Sequence, residues 1–115
     1  MILIKERALM PFINLADVKE REIVPGLTAK MIHSENMTLV FWDVRAGSSL
    51  PHHSHTNEQI TTVTKGTFQF TIEGETKIIE PGFAVIIPSN AKHHGKAITD
   101  CQLIDVFYPA REDYR

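Results

Sequence analysis

The stretch PHHSHTNEQI at residues 51–60 sets His52, His53 and His55 close together and follows them with Glu58 and Gln59. Imidazole is the commonest protein ligand for transition metals, so the cluster points first to a metal site. Successive side chains on a strand face opposite ways, which pairs His53 with His55 and turns His52 outward. Continued parity favours Gln59 over Glu58 as a further ligand. A bend at Thr56-Asn57 would reset that parity, so both stay candidates on spacing alone. A second pair, His93-His94, follows PSNAK, and only one of the two can face the first set. A lone histidine is more often an ordinary surface residue, whereas an H-x-H pair with a remote third histidine is a ligand pattern.

A carboxylate forms the second chemical feature. In QLIDVFYPAREDYR, Leu103, Asp105 and Phe107 share one parity. Asp105 therefore sits among apolar neighbours on a strand expected to be central. A carboxylate in dry surroundings is costly unless it is paired, hydrogen-bonded or used. It is either a buried, bonded aspartate or a general acid/base near the metal. Arg111 follows and can clamp a carboxylate through two parallel hydrogen bonds; its plain alternative is a solvated tail arginine.

Strands must position these groups. The chain has 115 residues, 43% of them hydrophobic, and a net charge of −2. That length suits one domain spanning 1–115 with its own core. The charge gives no footprint for nucleic acid, and no apolar run approaches the ~18 residues of a membrane span. MILIKERALMPFINL lacks the features of a leader and is read as mature protein. Cys101 is the only cysteine, which excludes an internal disulfide and fits a reducing cytoplasm. Helical composition is confined to Asp17–Glu22, closed by Pro25-Gly26. Strands are expected at 30–34, 37–45, 58–65, 67–73, 76–80 and 101–108, with FAVII (83–87) as a strand buried on both faces. Eight or nine short antiparallel strands imply an all-β fold, a small β-barrel or jelly roll. Met31, Met37 and Trp42 are expected to be core residues.

The spacing around the histidines resembles the cupin superfamily. Gly47 to Gly66 reads G-x5-H-x-H-x3-Q-x6-G, and Gly82 onward reads G-x5-P-x-N-x2-H through Pro88, Asn90 and His93. The two motifs occupy residues 47–66 and 82–97. Three positions depart from the family pattern: Gln59 stands for Glu, Asn90 for Gly and Ala97 for Asn. Asn is the next best residue at a positive-φ turn, so the second change is mild. The resemblance implies a cupin fold with His53, His55, Gln59 and His93 as metal ligands, and leaves His52, Glu58 and His94 outside the set. Gln59, unlike Glu58, keeps the motif's gap to Gly66. Such neutral ligands leave the ion's charge uncompensated, which favours anionic substrates and Lewis-acid work. One divalent ion is expected, zinc or nickel ahead of iron or manganese.

A narrower resemblance covers most of the chain. HSHTNEQI and DVFYPAREDYR are similar to the pectin-degradation cupins, which act on unsaturated uronates released by polysaccharide lyases. It implies an anionic sugar-acid substrate, with Asp105 as proton-transfer group, Arg111 as carboxylate clamp and Phe107 as an apolar wall. The implied reaction turns a 4,5-unsaturated uronate into a linear 5-keto-4-deoxyuronate. The competing expectations are another metal-dependent cupin enzyme (dioxygenase, isomerase or cyclase) or a non-catalytic cupin that binds sugars or other small molecules. By analogy with cupin dimers, a homodimer is expected, with MILI and the 37–45 strand adding to a partner's sheet.

Overall fold

Alternation of apolar and polar residues, punctuated by glycine turns, produces strands throughout the chain. The computed structural model describes residues 11–115. It contains ten strands among them: β1 (Arg21–Val24), β2 (Leu27–His33), β3 (Thr38–Val44), β4 (Ser49–His53), β5 (Glu58–Lys65), β6 (Phe68–Ile72), β7 (Glu75–Ile79), β8 (Ala84–Ile87), β9 (His93–Ala97) and β10 (Cys101–Tyr108). A six-stranded sheet runs β1-β2-β3-β10-β5-β8, and a four-stranded sheet runs β4-β9-β6-β7. All pairings are antiparallel. The two sheets face each other as a jelly roll rather than a hydrogen-bonded closed barrel. Their inner faces supply the core, with Val40, Trp42, Val63 and Leu103 from one sheet and Phe68 and Phe70 from the other. No helix among the described residues is long and apolar enough to cross a membrane.

Register in the large sheet sets the site. β10 lies between β3 and β5, so Phe107 is level with Thr38 on one side and Gln59 on the other. Two residues further in, Asp105 is level with Val40 and Thr61. Because the side-chain period is two, both rows point toward the four-stranded sheet.

Several expectations need correction. Asp17–Glu22 forms no α-helix; a single 3-10 turn occupies Leu15–Asp17 and β1 begins at Arg21. Backbone pairing of Arg21 and Glu22 with Ala29 and Thr28 of β2 outweighs a short local preference. The FAVII run becomes an edge strand, β8, with Ile86 70% exposed; the run is continuous because the outer sheet face is apolar. Met31 packs against the core, but Met37 lies in the β2–β3 turn and is exposed. β3 has both edges paired within its own sheet, so it cannot extend a partner's sheet. The MILI expectation lies outside the described residues. The expected strand ranges omit β1, β4 and β9, and β9 carries His93.

Two turns depend on positive φ. Glu73 and Gly74 join β6 to β7 with φ of 47° and 81°, the mirror-image turn whose twist matches a hairpin. Asn90 takes φ 65°, as expected for an asparagine at a motif glycine position, and its backbone N–H donates to the His55 carbonyl at 2.7 Å.

Candidate metal centre

The histidine cluster is assembled from the small sheet and the β4–β5 connection, and the large sheet adds Gln59 beside it. His53 ends β4 and pairs with His93 at the start of β9, both in the small sheet. His55 follows β4 in the connection to β5, where Gln59 points inward from the large sheet. The β4–β9 register shifts between Leu50 and His53, so both can face inward despite opposite parity. The ligand nitrogens of His53, His55 and His93 all lie within 4.8 Å of one another. These three histidines can form a metal site. Gln59 is 4% exposed while Glu58 is exposed. His52 and His94 stack on each other with ring centroids 3.7 Å apart, away from the converging set.

Each inward imidazole is oriented by a backbone carbonyl. His53 Nδ1 is 2.8 Å from the Pro51 oxygen, His55 Nδ1 2.9 Å from that of Asn57, and His93 Nδ1 2.9 Å from that of Ala91. A carbonyl only accepts, so each Nδ1 carries the hydrogen and each neutral ring presents its Nε2 lone pair. Burial favours this neutral form: it pushes His93 from the ordinary 6.5 down to about 4 and lowers His55 as well. His93 Nε2 is buried and has no hydrogen-bond partner. A buried polar atom left unpaired costs ~1–3 kcal/mol, and a cation bound to it would remove that cost.

Gln59 lies beside the three histidines. Its Oε1 lies 3.1 Å from His55 Nε2, two acceptors turned to one space. Its Nε2 donates to Thr61 Oγ1 at 2.8 Å, and Thr61 in turn bonds Asp105 Oδ1. Three imidazole nitrogens with an amide oxygen beside them suit a divalent transition-metal ion. The residues present fit such an ion.

Asp105, Phe107 and Arg111 border the same cavity as His53 and Gln59. Asp105 is 6% exposed, and burial raises its carboxyl pKa against the opposing bonds from Thr61 and Trp42. Trp42 Nε1 donates to Asp105 Oδ2 at 2.8 Å. Asp105 is thus both buried and hydrogen-bonded, and faces the cavity that His53 and Gln59 line. Arg111 is no solvated tail residue. Its guanidinium lies 4.7 Å from the Phe107 ring centroid and 4.1 Å from that of Tyr114. Its Nε and Nη2 both donate to Asp113, at 3.0 and 2.8 Å. Burial is the largest single effect on the Arg111 charge and opposes it, but Asp113 and Tyr114 together outweigh it and raise the Arg111 pKa; Arg111 in turn holds the Asp113 carboxyl below the usual range. The arginine's fork already holds a carboxylate of its own chain.

Sequence reasoning missed Thr61, Tyr114 and Asp113, and assigned Trp42 to packing alone. The signal for Thr61 was a polar residue at inward parity between Gln59 and Val63. Tyr114 and Asp113 lie in a polar tail whose return over the cavity leaves no periodic mark.

The model of the cupin domain matches residues 40–107. Over 96 residues the chain is 31% identical to the pectin degradation protein KdgF of Dickeya dadantii (strain 3937), covering 81% of this chain and 87% of that protein. Among solved structures it superposes on an RmlC-like cupin from Shewanella frigidimarina NCIMB 400 with a TM-score of 0.86 and 27% identity, covering 90% of this chain and 95% of that one. KdgF from Halomonas sp. gives a TM-score of 0.83 and 30% identity, covering 90% of this chain and 96% of the other.

Proposed function

The chain belongs to the cupin domain family, and from that premise we propose that it is a metal-dependent enzyme converting 4,5-unsaturated uronates to linear 5-keto-4-deoxyuronates. The observation that carries this reading is one cavity lined by His53, of the three converging histidines, together with Gln59, a buried Asp105 and a buried Arg111. The likeness to KdgF proteins, named for pectin degradation, supplies the substrate class.

His53, His55, Gln59 and His93 would hold one divalent ion, zinc or nickel ahead of iron or manganese. Bound there, the ion supplies Lewis acidity toward the oxygens of the sugar acid. Arg111 exchanges Asp113 for the substrate carboxylate, keeping a bidentate bond throughout. Phe107 forms an apolar wall beside the ring. The hemiacetal loses its C1 hydroxyl proton as the C1–ring oxygen bond breaks, leaving an aldehyde at C1 and an enol at C5. A proton then enters at C4 as the enol becomes a ketone, so product and substrate are isomers. Asp105 moves that proton, and burial raises its carboxyl pKa.

We place the protein in the cytoplasm, consistent with its lone, buried and free Cys101. A homodimer through the outer face of the large sheet is supported by Ile60 and Ile86, 52% and 70% exposed on paired strands, with Tyr108 nearby at 55%.

The test is an ultraviolet time course of the C4=C5 absorbance of freshly released unsaturated galacturonate. It compares metal-loaded wild type, Asp105→Ala and a protein-free blank, because the sugar also opens unaided. Faster decay with wild type alone supports the proposal; decay at the blank rate removes it.

A further inference from the structure

We propose that Thr61 is a positioning residue that couples Gln59 to Asp105, so that the identity of the fourth ligand is dictated by a carboxylate on a neighbouring strand. The inference rests on the metal-site reading but not on the choice of substrate.

The argument is a count of hydrogens. Trp42 Nε1–H can only donate, and it occupies Asp105 Oδ2. Asp105 Oδ1 takes the bond from Thr61 Oγ1. A hydroxyl has one hydrogen, and among the described residues Thr61 Oγ1 has no other acceptor to give it to. Toward residue 59 the hydroxyl can therefore only accept. An amide nitrogen meets that demand, and Gln59 Nε2 does so. The amide oxygen is then turned to the histidines, where it faces His55 Nε2. Bond polarity runs in one direction from Gln59 through Thr61 to Asp105.

A glutamate at position 59 breaks this chain. Its inner oxygen would oppose the Thr61 lone pair and bring a second negative charge into a row where Thr61 is 0% and Asp105 6% exposed. Replacing Asp105 by asparagine makes the opposite demand. The asparagine oxygen keeps Trp42, its amide donates to Thr61, and the hydroxyl hydrogen swings toward residue 59. Gln59 must then flip, presenting its NH2 to the metal position. A glutamate at 59 would be satisfied. The two positions accept Gln with Asp, or Glu with Asn, and reject the mixed pairs.

The experiment uses metal-free protein titrated with zinc alone, and thermal unfolding of the same metal-free samples. Asp105→Asn should weaken zinc binding ~10-fold or more, the usual scale for losing a group that orients a ligand. Gln59→Glu should lower the metal-free Tm by ~5 °C or more. The double variant Gln59→Glu/Asp105→Asn should recover at least half of each loss. Additive losses in the double variant, or wild-type zinc affinity in Asp105→Asn, overturn the proposal. If Asp105→Asn fails to fold, Thr61 decides: Thr61→Ser should keep zinc affinity within ~3-fold and Thr61→Val should lose ~10-fold or more, equal affinities overturning the coupling. A wild type that takes up no zinc removes the metal-site reading, while the metal-free Tm values still judge the coupling.

Discussion

Acidifying the metal-free protein should expose the strain of holding His93 neutral in a dry site. In the folded chain burial takes this imidazole from 6.5 to about 4. Its folded pKa lies below its unfolded one, so between those values the unfolded chain binds more protons and acid favours unfolding. The contribution is complete above about pH 6.5 and is lost as the pH falls toward 4. At ~1.4 kcal/mol for each pH unit, the displacement amounts to ~3 kcal/mol. His93 is 2% exposed, so solvent screening removes little of it. That is a large part of a domain's usual ~5–15 kcal/mol. The assay is urea unfolding in the presence of a chelator at pH 7 and pH 4.5, for wild type and His93→Gln. The variant retains a neutral polar side chain but has nothing to protonate. Other titrating groups act in both proteins, and the difference between the two losses isolates His93. Roughly 2.4 kcal/mol of the His93 contribution is lost between pH 7 and pH 4.5, so with a urea slope of ~1–3 kcal/mol per molar the wild-type midpoint should fall ~1–2 M further than the variant's. Parallel losses in the two proteins would refute the assignment of His93 as a buried neutral imidazole.

Three further outcomes follow from the geometry. Alanine at His53 or His93 should abolish stoichiometric metal by elemental analysis, whereas His52→Ala should retain it; full metal in the His93 variant would break the ligand set. Gly66→Ala should cost ~2–4 kcal/mol in urea unfolding, because φ is +84° and an added Cβ would lie 2.1 Å from the Asp100 carbonyl oxygen. Asp113→Asn frees the Arg111 fork from its internal carboxylate, so KM for an unsaturated uronate should fall ~3-fold or more while kcat changes less; an unchanged KM would show that the Arg111–Asp113 pair is not opened by substrate.

Legibility in the sequence tracked how local each determinant was. His53 and His55 are separated by one residue, and Phe68 alternates with Phe70, so a reader of spacing alone recovers the inward histidines and a half-buried strand. β8 failed because a continuous apolar run looks the same whether the strand is covered on both sides or lies at an edge with Ile86 outward. β9 failed for the reverse reason. HHGKA has almost no strand character, yet Gly95 is useful there: an added Cβ would meet the Phe68 ring at 2.3 Å, and the missing side chain lets β9 lie against β6.

The polar chain behind the candidate ligands was the least legible part, although every member of it was in view. Trp42, Gln59, Thr61 and Asp105 come from three strands, and Trp42 and Asp105 are 63 positions apart. Their bonds exist only because β10 inserts between β3 and β5 in one register. A slip of a single residue would turn Asp105 to the outer face and leave Gln59 without an orienting partner. Parity shows which residues point inward, but it cannot show which of them meet. The departure at Gln59 is therefore legible as a departure from its residue type, and its physical reason becomes visible only when the strand opposite is known to carry a carboxylate.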